Sequence, residues 1–428
     1  MKLTTLDKMP SLWTPELIQN FYNAVRKLYN LTQTPCEEGL YGNLPIQEDF
    51  NEYTLRLGDE LQLANIIAFL AQAQEGQAAV SGVCVEENED RLIIRLASNE
   101  APSQTTLDGL NNILDIMSKG VRNRMSKDVL QDMIYESVLD LSHERILQRI
   151  RPSWVPAPGY FRKGEQPLWE RTDKILHYQK CELKLKPGLE RLISELRLLE
   201  KRPSEQDLRV SLKSIVQRCA DVSHDEYCRP SMQQLRQDLK NEESKWRTSL
   251  KDIVQVDKLA GYLALSRDLA ELALQTQYRQ LTQEIDLELL PAQEPLKPVG
   301  SLKRCYVHAE VQLILHYEDE PHEKPPRAIG CSKSACFLCD SLIQKLGKYR
   351  ISRTHGRFFD TWGIPNIKLE RPERFRSAIE GMIKNMDELN PKGVQLFRPY
   401  ALQSTAILPR ANISDLTLQV EAFSLGDA

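Results

Sequence analysis

Apolar residues along this chain recur mostly at the spacing of one helix face. "TPELIQNFYNAVRKLY" starts the pattern, with Thr14 as a candidate N-cap and Pro15 in the first turn. "LGDELQLANIIAFLAQAQ", Leu57 to Gln74, predicts a second amphipathic helix. The period then changes. "GVCVEENEDRLIIRLAS", Gly82 to Ser98, sets two apolar stretches around a charged turn and predicts a hairpin. Helical spacing resumes in "TTLDGLNNILDIMSKG", "SKDVLQDMIYESVLDLSHERILQRI" and "LKPGLERLISELRLLEKRPS". It is longest in "VDKLAGYLALSRDLAELALQTQYRQL", where Leu259, Tyr262, Leu263, Leu269 and Leu272 form a stripe. Such a stripe predicts either bundle core or a face for a protein partner.

Two stretches interrupt the helices. "RPSWVPAPGYFRKGEQP", Arg151 to Pro167, is rich in proline and glycine and reads as a loop or hinge. "LLPAQEPLKPVGS", Leu289 to Ser301, marks the main boundary. Residues 1–295 therefore read as a mainly helical region of unassigned role, with the hairpin at 82–98 inside it. Residues 300–428 read as a second domain, so the class expected is α+β overall.

Composition narrows the setting. A chain of 428 residues with 41% hydrophobic and 27% charged residues can bury large cores in two or three domains. Its net charge of −4 gives no global pull toward nucleic acid or membranes. The segment 301–376 differs, with 14 Lys/Arg against 9 Asp/Glu. A basic segment of this kind suits phosphate-bearing ligands, or is a solvated face. The start lacks an apolar signal core, and no run of 18 apolar residues occurs. The expectation is an intracellular protein, cytoplasmic or nuclear, with no membrane contact. Four of the nine cysteines fall between Cys305 and Cys339. In a reducing compartment, that clustering suggests metal or catalysis before disulfides.

Three elements after the boundary carry the chemistry. His308-Ala309-Glu310 opens the apolar run "VHAEVQLILHYE". "PPRAIG", Pro325 to Gly330, is a short strand candidate. Cys331, Cys336 and Cys339 then lead into the helix pattern "DSLIQKLGK". Residues two apart on a regular helix point nearly opposite ways, at about 100° per residue. His308 and Glu310 can therefore share a site only at the helix entrance. Cys336 and Cys339 share a helix face, and a helix N-terminus favours thiolates. One imidazole and two thiolates make three zinc ligands with a fourth position open for water, and Glu310 is placed as the acid/base beside it.

These residues match the zinc-deaminase signature, H-x-E followed by a P-C-x-x-C segment. More closely, "HAEVQLILHY…GCSKSACFLCDSLI…RTHGRFFDTWGIP" resembles a bacterial and fungal branch of the cytidine-deaminase-like superfamily. Ala335 stands where the general signature has proline, which the CSKSAC context marks as subfamily character. The resemblance covers 305–365. It implies a three-layer α/β/α domain and zinc-dependent hydrolytic deamination of a base in a nucleotide or nucleic acid. In that reading His308, Cys336 and Cys339 hold zinc, Glu310 shuttles protons, and Cys331 neighbours the ligands.

Other readings of the same residues stay open. Cys331 or Cys305 as a fourth ligand would give a closed, structural Cys₃His site in an interaction protein, and a catalytically degenerate deaminase fold is also compatible. Downstream, His355, Arg357 and Trp362, with Arg353, are candidates for stacking a base or holding a phosphate, or form an aromatic core edge. A deaminase sheet needs a hairpin before the H-x-E helix. Locally only "VGSLKRCYV" is available, and the 82–98 hairpin would supply it if the helices between are an insertion.

Overall fold

A computed structural model describes residues 13–32, 34–36, 39–40, 52–156, 166–241, 249–296, 305–319, 322–366 and 372–389. Most of "VGSLKRCYV", parts of both proline-rich stretches and the end of the 300–428 region lie outside the described residues.

Helix α1 (Pro15–Leu31) starts as its sequence indicates, with the Leu17 amide donating to Thr14 Oγ1 at 3.1 Å. The two-residue strand β1 (Gly39–Leu40) follows. Helix α2 (Leu57–Ala71) is buried along most of its length, Glu60 and Asn65 included. Strands β2 (Ser81–Glu87) and β3 (Leu92–Ser98) form the expected hairpin, antiparallel, with Ser81 opposite Ser98.

Eight helices among the described residues then run before the next strand: α3 (Gln104–Arg122), α4 (Lys127–Ile150), α5 (Leu168–Leu176), α6 (Lys186–Leu198), α7 (Glu205–Ser223), α8 (Arg229–Asn241), α9 (Ser249–Leu274) and the single turn α10 (Arg279–Thr282). Ser103, Ser126 and Ser204 cap three of them through their hydroxyls. Leu259, Tyr262, Leu269 and Leu272 of α9 are buried among α3, α4 and α7, and Leu263 packs at the margin, so this stripe is bundle core. No helix among the described residues is long and apolar enough to cross a membrane.

The chain returns through β4 (Ile285–Leu289), parallel to β3, and β5 (Pro295–Leu296). Next come α11 (Ala309–Asp319), β6 (Gly330–Cys331), α12 (Phe337–Leu346), β7 (Arg353–Thr354), β8 (Ile364–Pro365) and α13 (Glu373–Leu389). The "PPRAIG" strand is thus shorter than its sequence suggests, extended by a single bridge from Ala328 to Arg350. The four-stranded sheet has the order β4-β3-β2-β6, with Gly82 opposite Cys331. Strands from either side of the boundary read at 295 share this sheet.

Alternation along β2 separates its two faces. Val83 and Val85 join a core with Ile67 and Leu70 of α2 and Tyr262 of α9. Cys84 joins a second core with Leu313 of α11 and Leu342 of α12. Helix α11 lies so close to Gly82 that an added Cβ would come within 3.1 Å of Leu313 Cδ1 and 3.3 Å of Ala309 Cβ. On the other face, α2 grips the incoming strand by its backbone. Glu60 accepts from the Arg327 and Ala328 amides at 2.7 and 2.9 Å, and Asn65 Oδ1 from the Cys331 amide at 3.1 Å. Helix α1 also belongs to the second core: Phe21 packs 5.4 Å from the Trp362 ring, and Trp13 Nε1 donates to Pro365 O at 2.7 Å.

Candidate active site

Helix α11 begins one residue after His308. The Val311 and Gln312 amides donate to His308 O at 2.9 and 3.1 Å, which makes His308 the half-in residue of the helix start. The Ala309 amide, one of the donors a helix leaves without an internal partner, is taken by Asn99 Oδ1 at 3.0 Å. Gln312 Nε2 adds a bond to Ser98 O at 2.9 Å. The end of the hairpin therefore fixes the entrance of α11, and there His308 and Glu310 reach one site.

Cys336 caps α12, its Sγ accepting from the Cys339 amide at 3.4 Å. Cys336 Sγ lies 3.6 Å and Cys339 Sγ 3.3 Å from His308 Nδ1. Across the described residues this is the group whose ligand atoms converge, all three within 4.8 Å of one another. Trp362 Nε1 donates to Cys339 Sγ at 3.4 Å. Burial opposes a thiolate at Cys336, yet the hydrogen bond with Cys339 and the His308 charge outweigh it and hold this thiol well below its ordinary value. Burial and the Cys336 charge push the Cys339 thiol well up. For His308, burial disfavours the cation, but the charge of Cys336 prevails and raises its pKa. Two sulfurs and an imidazole nitrogen converging in a buried pocket are the donor set of a zinc site with three protein ligands.

Glu310 is 4% exposed, and its Oε2 accepts from Cys339 Sγ at 3.6 Å. Burial raises its pKa above the ordinary 4.5, ahead of the opposing pull of His308. It is outside the converging three. Together with His308 and Cys336 it lines a cavity of about 220 Å³.

Two of the downstream candidates line the same cavity, His355 and Arg357. His355 Nδ1 accepts from the Arg357 amide at 3.0 Å, and burial lowers the ring's pKa to about 4. A ring bonded this way at Nδ1 carries its proton on Nε2. Trp362 is brought to Cys339 rather than to the cavity wall, buried between that sulfur and Phe21. Arg353 sits on β7, paired with Leu40, and its carbonyl accepts from the Ala335 amide; it is not among the cavity residues. Cys331 is buried on β6 outside the converging group, its thiol pushed well up by burial and by Glu310. The motifs did not point to Gln77, Val80 and Asn99, which complete the wall from the hairpin side, nor to Tyr306, Lys333 and Thr361. Asn99 carried a local signal, a polar amide directly after an apolar strand, and Lys333 lay in the basic segment 301–376.

Comparison with curated proteins and with solved structures finds no match. A family model described as an OTT_1508_deam-like deaminase does match, over residues 307–366. That span includes both motifs, so the segment holding His308, Glu310, Cys336 and Cys339 is deaminase-like, and its His/Cys/Cys cluster is compatible with zinc.

Proposed function

We propose that this chain is a zinc-dependent hydrolytic deaminase acting on a base in a nucleotide or nucleic acid. His308, Cys336 and Cys339 are the zinc ligands. Zinc, when bound, supplies Lewis-acid activation of water near neutral pH. Glu310 accepts a proton at its carboxylate and delivers one to the departing amino nitrogen, so that water replaces ammonia on the ring. Its raised pKa suits a group that must both take and give a proton. Neutral His355 offers its Nε2–H to the base, while Asn99 keeps the α11 entrance in register. Trp362 positions Cys339 through its sulfur contact. The domain comprises three α/β/α layers drawn from about 57–98 and 285–366, with α1 and α13 packed on its second core and the helices between as an insertion. The two-faced packing of the sheet supports this division.

The observation that carries the reading is Glu310, a buried carboxylate facing the cavity beside the three ligands. A closed structural site has no use for it. The test pairs two variants of purified protein. Glu310→Ala is expected to retain zinc and to lose ammonia release at least about 100-fold on a panel of bases, nucleosides, nucleotides and oligonucleotides. Cys331→Ser is expected to retain zinc as well. A wild-type protein inert across the panel, combined with metal loss in Cys331→Ser, would establish the structural Cys₃His site instead.

A further inference from the structure

The cavity has a charged flank that deamination chemistry leaves unused. Lys333, in its wall, donates to Gly76 O at 3.2 Å. Behind it lies the loop between α2 and β2, whose Glu75 Oε1 accepts from Arg145 Nε at 3.1 Å and Arg149 Nη2 at 2.6 Å. Lys258 of α9 is close enough for its charge to act on Arg149, Arg145, Lys333 and Glu75. Four cations thus gather around one carboxylate.

Their commitments differ. Arg145 spends its remaining nitrogens on Phe69 O and Gln72 Oε1, at 2.8 and 3.3 Å. Arg149 Nη1 reaches Gln255, but its buried Nε has no partner among the described residues. The Lys258 ammonium makes no hydrogen bond or ion pair among the described residues, and the residue is half-buried. Burial, then Arg149, holds its pKa down to about 7, against the opposing pull of Glu75. Lys333 keeps donors to spare beyond Gly76.

A structural ion pair needs one cation for Glu75, and the arginines already provide two. The surplus charge, the unmet donors of Lys258 and Arg149, and the continuity with the cavity through Lys333 have one common explanation. We propose that Lys333 on the cavity wall, with Lys258 and Arg149 behind it, forms a phosphate-binding subsite on this flank, so that the substrate enters as a phosphate ester. The helices between β3 and β4 thereby gain a role, since α4 and α9 supply three of the four cations. The subsite rests on the deaminase reading only for the identity of the group in the cavity.

Calorimetric titration of the zinc-loaded full chain tests this, using nucleoside monophosphates, short single strands and the matching nucleosides. The phosphate-bearing ligands are expected to bind at least about tenfold more tightly than the nucleosides. Lys258→Met and Lys333→Met should each weaken phosphate-ester binding by about tenfold, spare nucleoside binding, and be rescued in part by Lys258→Arg. Mononucleotide binding identifies a terminal phosphate as the ligand, and binding of strands alone identifies a backbone phosphate; either supports the subsite. Wild-type affinity in both methionine variants, or equal affinity for nucleosides and their phosphates, overturns it. Intact phosphate binding in a protein that deaminates nothing overturns the deaminase reading alone. Deamination unaffected by the lysine variants, at equal efficiency on nucleosides and nucleotides, overturns the subsite alone.

Discussion

Gly330 is where α2 and β6 come closest, and a single methyl group there tests the whole sheet. A Cβ at this position would lie 2.1 Å from Ala64 C and 2.3 Å from Ala64 O and Asn65 N. Ordinary carbon contacts are about 3.5–4.0 Å, so α2 and β6 must part by more than about 1 Å. Both partners are backbone, and no side-chain rotation relieves the clash. Overpacking of this kind costs about 1–3 kcal/mol. Separation also strains the bond from the Cys331 amide to Asn65 and those from Arg327 and Ala328 to Glu60, at about 1 kcal/mol each. Gly330→Ala should therefore lose about 4–6 kcal/mol in urea unfolding followed by circular dichroism. Gly58→Ala is the control, because nothing lies within 4 Å of its Cβ and it sits in the first turn of α2. That variant should be neutral or stabilised by up to about 1 kcal/mol. An unfolding midpoint for Gly330→Ala equal to the wild type's would mean that β6 does not lie on α2. The shared sheet, and with it the assignment of the hairpin to the deaminase-like domain, would then be wrong.

Removing the cap on α11 should act on the site as well as on stability: Asn99→Ala leaves the buried Ala309 amide unmet, is expected to cost about 1–3 kcal/mol, and should weaken zinc retention in a chelator competition because His308 loses its fixed backbone. Glu75 predicts a pH response. Burial would raise its pKa, but Arg149 and Arg145 outweigh burial and hold the carboxyl well below its ordinary 4.5. Its contribution is full above 4.5 and fades as pH falls toward the folded value, so wild-type stability should drop between about pH 5 and 3. Glu75→Gln should show a flatter profile there and be less stable near neutrality by about 3–5 kcal/mol, two arginines then lacking their acid.

The local features of this protein are legible in its residues. Thr14 and Pro15 announce α1, the apolar stretches at 82–98 announce the hairpin, and the α9 stripe announces a helix with one apolar face, which could be bundle core or a partner surface. His308, Glu310, Cys336 and Cys339 stood out because their spacing is constrained by chemistry and their helix starts are written in neighbouring residues. Tertiary structure decided what stands next to them. Asn99 meets Ala309 across 210 positions, and Ser81 meets Ser332 across 251, through hydrogen bonds that no local pattern encodes. The loop that read as base-stacking or as an aromatic core edge divides between the two, with His355 on the cavity and Trp362 behind a sulfur, because burial rather than residue type selects the face. The cations near Lys333 come from α4 and α9 and the carboxylate among them from the loop after α2, segments with separate and unremarked charges in the sequence. Only folding them against one carboxylate, away from bulk water, turns those charges into a cluster with donors left over.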